Sequence, residues 1–146
     1  MTSPNDPGAE AWELMFELFK STKRERLQLA QEYGLSPMQL FAIGALEPGA
    51  EVPMSSLAET LLCDASNVTG IVDRLEARGL IERRAAAHDR RVKLLALTDE
   101  GARLRDEATS RMSVPPVEIA GLSREDKLAL RDILKRAVVR RGARAA

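Results

Sequence analysis

The chain has 146 residues, 45% of them apolar but only 3% aromatic, which suits one small helical domain with a core of Leu, Val, Ile and Ala. Its formal net charge is zero, 22 Lys and Arg against 22 Asp and Glu, so it lacks the overall basicity that usually marks a nucleic-acid protein. One cysteine excludes an internal disulfide framework, and no apolar run is long enough to span a membrane.

The first ten residues, MTSPNDPGAE, have neither the basic start nor the apolar stretch of a signal peptide, so a cytoplasmic location is expected. Residues 1–8, with Pro4, Pro7 and Gly8, read as a flexible leader. A helix is predicted from near Ala9, because Trp12, Met15, Phe16 and Phe19 recur at steps of three and four. Leu27 and Ala30 carry the stripe on toward Tyr33, and Gly34 stops it. Most of the aromatic content sits in this one segment, which predicts a broad buried surface.

Ser36, Pro37 and Gln39 announce the next helix by two signals at once, proline at the first position and a Ser-x-x-Gln capping box. Its apolar residues Leu40, Phe41, Ile43 and Leu46 make it a core helix, and Glu47, Pro48 and Gly49 end it. Val52 is placed to add a short third strand to a hairpin further on.

The stretch from Met54 to Thr98 organises the rest. In SSLAETLL the residues Leu57, Ala58, Leu61 and Leu62 mark one face of a short amphipathic helix. Asp64 can cap a second helix whose core face is Val68, Ile71, Val72 and Leu75, and Gly79 ends it. Two helices joined this closely cross steeply, so the second presents its amino end outward. That end carries Ala65, Ser66, Asn67, Thr69 and Gly70, small side chains free of carboxylates, suited to lie against base edges and phosphates in a major groove. Asn67 can pair with an adenine edge through two hydrogen bonds. Arg74, two turns on, is within reach of a phosphate or, alternatively, of Asp73 or Glu76.

Leu80 and Ile81 then lead a strand through Glu82 to Arg84, and Val92 to Leu97 supplies a returning strand. Between Arg83 and Lys93 lie five cations, Arg83, Arg84, Arg90, Arg91 and Lys93, against Asp89 alone. The neutral total therefore hides a local asymmetry: residues 1–53 hold four Lys or Arg against eight acids, and the basic cluster sits on the hairpin. Arg91 is the expected wing-tip reader of a narrow minor groove, with Asp89 orienting its guanidinium, while Arg90 and Lys93 are phosphate partners.

These segments carry a resemblance. SSLAETL, DASNVTGIVDRLEARGLIERR and DRRVKLLALTDEG, in that order, are similar to the MarR family of winged helix-turn-helix regulators, and the family's wing pattern falls on Asp89, Arg91, Leu97 and Thr98. The motif-bearing part is residues 36–101, although the likeness extends over nearly the whole chain. It departs from the pattern at Leu62 and Cys63, where a Gly often makes the turn, and at Pro53, where a hydroxyl cap is usual. Pro115 and Pro116 also interrupt what is commonly one long helix.

After the wing, Thr98 caps a helix with Asp99 and Glu100 in its first turn and Leu104, Ala108 and Met112 along its buried line. Ser123 with Asp126 opens a last helix bearing Leu130, Ile133, Leu134, Ala137 and Val138. The expected layout is mainly α: leader 1–8, N-terminal dimerisation helix 9–34, winged helix-turn-helix lobe 35–98 with a two- or three-stranded wing, C-terminal dimerisation helices 99–141, and a flexible tail 142–146. The resemblance implies a homodimer joined by the terminal helices, a pseudo-palindromic operator in double-stranded DNA, a repressor role and a small aromatic or phenolic ligand. The alternative is a protein-interaction module of the same fold that has lost DNA binding.

Other chemistries have little to stand on. His88 and Cys63 are one soft ligand each and cannot close a zinc site within one chain. Some relatives sense oxidants through a cysteine in the first helix, whereas Cys63 lies in the motif turn and reads as a small core residue. No Ser, His and Asp pattern, glycine-rich phosphate loop or carboxylate pair marks an enzyme, and no cofactor is implied.

Overall fold

The computed structural model describes residues 6–145, with side chains described as far as Val139 in the last helix. It comprises two compact units, Met1–Ser113 and Val114–Ala146. The first unit holds helices α1 (Pro7–Ser21), α2 (Lys23–Glu32), α3 (Pro37–Ala45), α4 (Met54–Leu61), α5 (Ala65–Ala77) and α6 (Asp99–Met112), with strands β1 (Val52–Pro53), β2 (Ile81–Ala85) and β3 (Lys93–Leu97). The second holds α7 (Val117–Ala120) and α8 (Arg124–Ala145). Among the described residues no helix is long and apolar enough to cross a membrane.

Helix α1 starts earlier than the periodicity predicts. Asp6 accepts the Gly8 N–H at 3.1 Å, and Pro7 occupies the first helical position, so the residues expected to resist a helix nucleate one. The rest of the expected leader, residues 1–5, lies outside the described residues. The single helix expected up to Gly34 is instead divided at Thr22. The Ser21 and Thr22 hydroxyls donate back to the carbonyls of Leu18 and Phe19, at 2.7 and 3.1 Å, which is how such side chains disturb a helix ladder. No residue of α1 is buried: Trp12 is 66% exposed and Phe19 61%.

The core of the first unit lies among α3, α4, α5 and the sheet. The α3 capping box forms as expected, Gln39 N–H to Ser36 Oγ at 3.1 Å and Ser36 N–H to Gln39 Oε1 at 2.9 Å. Leu40, Ile43 and Leu46 are buried, but Phe41 is exposed, since the inward position of its turn belongs to Ala42. Val68, Val72 and Leu75 of α5 are almost wholly buried, each stabilising the fold by about 1.5–3 kcal/mol. Leu57 and Leu61 of α4 are buried against them, whereas Leu62 is 93% exposed, because the chain turns there in the left-handed region at φ 52°. Pro53 gives α4 no side-chain cap.

The sheet is antiparallel, with β3 between β1 and β2. Val52 pairs with Leu95, so the third strand forms, and Arg83 pairs with Leu95 from the other side. Thr98 caps α6 by accepting the Gly101 N–H at 3.0 Å and donates its hydroxyl to the Gly79 carbonyl at 2.6 Å. Gly101 is buried so tightly on the Leu80 carbonyl that a Cβ there would lie 1.9 Å from its oxygen. On α6 Ala108 is buried and Leu104 packs against the core, but Met112, expected on the buried line, is exposed.

In the second unit Ser123 caps α8: its hydroxyl accepts the Asp126 N–H at 3.1 Å and donates to the Asp126 carboxylate at 2.7 Å. The backbone of α8 stays helical to Ala145, beyond the point where a flexible tail was expected. Ile119, Leu130, Leu134 and Val138 line an open apolar groove within this unit.

Candidate nucleic-acid interface

Helix α5 and the hairpin after it carry the residues that the sequence singles out. Asp64 caps α5 by accepting the Asn67 N–H at 2.8 Å and the Ser66 hydroxyl at 2.7 Å. These two bonds, the Asn67 bond first, hold the Asp64 carboxyl below its ordinary value. With Val68, Ile71, Val72 and Leu75 turned into the core, helical geometry puts Ala65, Ser66, Asn67, Thr69, Gly70 and Arg74 on the exposed side, and all six are exposed.

The hydrogen-bonding state of these side chains is more specific than their exposure. The Ser66 hydroxyl is engaged by Asp64, and the Thr69 hydroxyl donates to the Ala65 carbonyl at 2.8 Å. Both can still accept a bond without giving up these contacts. The Asn67 amide nitrogen lies 3.8 Å from Cys63 Sγ, a weak contact that leaves its oxygen open. A Cβ built on Gly70 meets nothing within 4 Å, so nothing in the chain itself requires a glycine there. Arg74 makes no ion pair among the described residues: its candidate partners Asp73 and Glu76 are both held by Arg83, at 2.5 Å each.

That pairing also divides the wing's five cations. Arg83 is tied to α5, and Arg84 pairs with Glu51, at 2.6 Å, and with Glu82. Arg90, Arg91 and Lys93 are exposed and form no ion pair among the described residues. The charge offered outward is therefore concentrated at the tip and the start of β3, on the three cations singled out from the sequence.

The tip is an ordered turn. Ala86 is buried and donates its N–H to the Val92 carbonyl at 3.0 Å, while Val92 N–H donates to the Asp89 carbonyl at 3.0 Å. Asp89 Oδ1 accepts the backbone N–H of Arg91 at 2.9 Å. The expected role of Asp89 is thereby corrected: it supports the turn through the main chain and does not grip the Arg91 guanidinium. A carboxylate two residues before an N–H closes a local ring more readily than it reaches a long side chain.

Two further supports come from arginines that the sequence pattern does not announce. Arg78 donates to the carbonyls of both Tyr33 and Gly34 at 2.8 Å, fastening the end of α5 to the end of α2. Arg105 reaches Glu47 at 2.7 Å, joining α6 to the loop after α3. Neither has a signal in periodicity, since both link segments more than forty residues apart. Among the described residues no cluster of three or more metal-ligating side chains occurs.

Comparison with known proteins finds likeness in both sequence and fold. The MarR family model matches residues 33–92, which run from the end of α2 through the wing turn. The HTH-type transcriptional repressor MdtR of Bacillus subtilis (strain 168) is 39% identical over 84 residues, 58% of this chain and 54% of that protein, so the match spans about half of the relative's length. The solved YusO protein of Bacillus subtilis is 29% identical, with a TM-score of 0.72 over 94% of this chain and 98% of its own. A MarR mutant from E. coli, 19% identical, superposes with a TM-score of 0.78 over 94% of this chain and 99% of its own, a likeness of fold. Over residues 33–92, the capped helix-turn-helix and the first part of the wing, the chain is similar to the MarR family, and its fold is that of the solved YusO and MarR proteins.

Proposed function

We propose that this protein is a DNA-binding transcriptional regulator that inserts the amino end of α5 into a major groove and lays Arg91 in the adjacent minor groove. One observation carries the reading. The exposed face of α5 has no unpaired carboxylate, while Arg90, Arg91 and Lys93 at the neighbouring wing are left without ion-pair partners among the described residues. Asn67 is assigned to base reading, Ala65, Ser66, Thr69 and Gly70 to close contact, and Arg74, Arg90 and Lys93 to phosphates.

The finer reading is a homodimeric repressor on a pseudo-palindromic operator. A second copy is supported by the apolar side chains that one chain leaves uncovered: Trp12, Phe16 and Phe19 on α1, and Ile133 and Val138 on α8. A two-fold dimer presents its helices to half-sites about 34–36 Å apart. Response to a small aromatic or phenolic ligand rests on the resemblance alone, and action in the cytoplasm on the composition of the first residues. Selecting bound fragments from a random duplex pool tests the reading. Enrichment of a two-fold repeat, with affinity falling steeply as salt rises, is the expected result; an apolar protein-interaction module would enrich nothing and show little salt dependence.

A further inference from the structure

We propose that Arg83 is a positioning residue that fixes the wing relative to α5, gripping the helix through Asp73 and Glu76. The functional consequence rests on the DNA-binding reading above; the mechanical one does not. Arg83 Nη2 meets Asp73 Oδ1 at 2.5 Å and Nη1 meets Glu76 Oε2 at 2.5 Å. Glu76 Oε1 also accepts the backbone N–H of Arg83 at 3.2 Å, so one carboxylate holds both the main chain and the side chain of the same strand residue.

The placement gives these bonds their meaning. Asp73 and Glu76 stand three residues apart on one edge of α5, a spacing that lets one guanidinium reach both. The strand leaves the helix through a turn at Gly79, φ 70°, and its root is anchored by buried Leu80 and Ile81. Arg83 lies two residues further out, and beyond it Arg84 and Ala85 are exposed. Arg84 cannot duplicate the link, because its partners Glu51 and Glu82 lie outside α5. Among the described residues the Arg83 pairs are the only ionic ties between the wing and α5. A helix and a hairpin that read neighbouring grooves need a fixed separation, since a wing that swings away from a seated α5 no longer reaches its own groove. The clamp also neutralises two carboxylates on the helix that would otherwise repel phosphates, and the test must separate the two effects.

The mechanical arm places spin labels at Ala77→Cys and Ala87→Cys in a Cys63→Ser background, with labelled chain diluted into unlabelled. Arg83→Gln and, as a gentler variant, Glu76→Gln should broaden the distance distribution while thermal melting still shows a folded protein. An unchanged distribution in both overturns the proposal, whatever the protein binds. The DNA arm is a double-mutant cycle on a selected duplex. Arg91→Ala should weaken binding about tenfold in the parent but less than about twofold in Arg83→Gln, whereas the Asn67→Ala loss stays the same in both. Equal Arg91→Ala losses in both backgrounds would overturn it. So would full recovery of affinity in the neutral triple variant Arg83→Gln, Asp73→Asn, Glu76→Gln, which would reduce the clamp to charge masking. Broadened distances in a protein that binds no duplex would instead sink the DNA-binding reading and leave the clamp standing.

Discussion

Asp89 and Arg91 are joined through the main chain: the Asp89 carboxylate accepts the Arg91 N–H at 2.9 Å, and the Arg91 guanidinium has no ion-pair partner among the described residues. The two residues are therefore separable by experiment. Arg91→Ala should weaken DNA binding several-fold or more and lower the salt slope by about one, as loss of one cationic contact does. Asp89→Asn should retain affinity, because an amide oxygen can accept the same N–H. If Asp89 held the guanidinium by charge, Asn would lose as much as Ala, and fluorescence anisotropy at several salt concentrations distinguishes the cases.

Asn67 sits at the first turn of α5 with its backbone N–H already committed to Asp64 and its side chain exposed. Asn67→Ala leaves the cap bond in place, since the backbone still donates. It should cost about 1–3 kcal/mol at one base pair per half-site and leave folding stability near the parent's. Fragment selection with the variant is the check. A base preference identical to the parent's would mean that Asn67 reads nothing.

Gly70 separates stability from binding in the opposite sense. A glycine within a helix costs about 0.5–1 kcal/mol relative to alanine, and a Cβ at this position meets nothing within 4 Å. Gly70→Ala should therefore raise the denaturation midpoint while weakening DNA affinity, because the added methyl stands on the face proposed to approach the duplex. Denaturant titration and DNA titration of one preparation test both halves. A variant that gains stability and keeps full affinity would remove Gly70 from the interface.

The core pattern, the caps at Ser36, Asp64, Thr98 and Ser123, and the wing strands were legible because each rests on spacing within a dozen residues. The six exposed α5 residues followed from the same periodicity. What periodicity cannot convey is which partner a long charged side chain takes. Arg83 and Arg84 look like Arg90 and Arg91 in the sequence, yet the first two are held by acids and the latter two are not. Exposure of Phe41, Leu62 and Met112 is illegible for a related reason: apolar type indicates burial only where the backbone turns the side chain inward. At Leu62 a left-handed residue reverses that direction.

Gly101 is the position where the sequence offers no tolerance. It lies in the first turn of α6 against the Leu80 carbonyl, and a Cβ would overlap that oxygen at 1.9 Å, a backbone contact that no rotamer can relieve. Gly101→Ala should destabilise the fold by about 1–3 kcal/mol or more through forced displacement of α6 from β2's root. It should also weaken the Thr98 hydroxyl's bond to the Gly79 carbonyl, now 2.6 Å. Urea denaturation gives the magnitude, and a midpoint equal to the parent's would show that α6 can shift freely.

The Asp64 cap carries a pH dependence whose sign follows from its bonds. Asn67 N–H and the Ser66 hydroxyl both donate to the carboxylate, which lowers its pKa from the ordinary 3.8. A group depressed in the folded state contributes stability that is fully present above 3.8 and is lost as pH falls through the lower folded value. The start of α5 should therefore keep its cap at neutral and mildly acidic pH and loosen only below about pH 4. The Asn67 amide resonance should titrate with a midpoint below 3.8, and Asp64→Asn, which can still accept the bond, should abolish that titration. A midpoint at or above 3.8 would mean that the carboxylate is not bonded as described, and the outward placement of Ser66 and Asn67 would then lose its anchor.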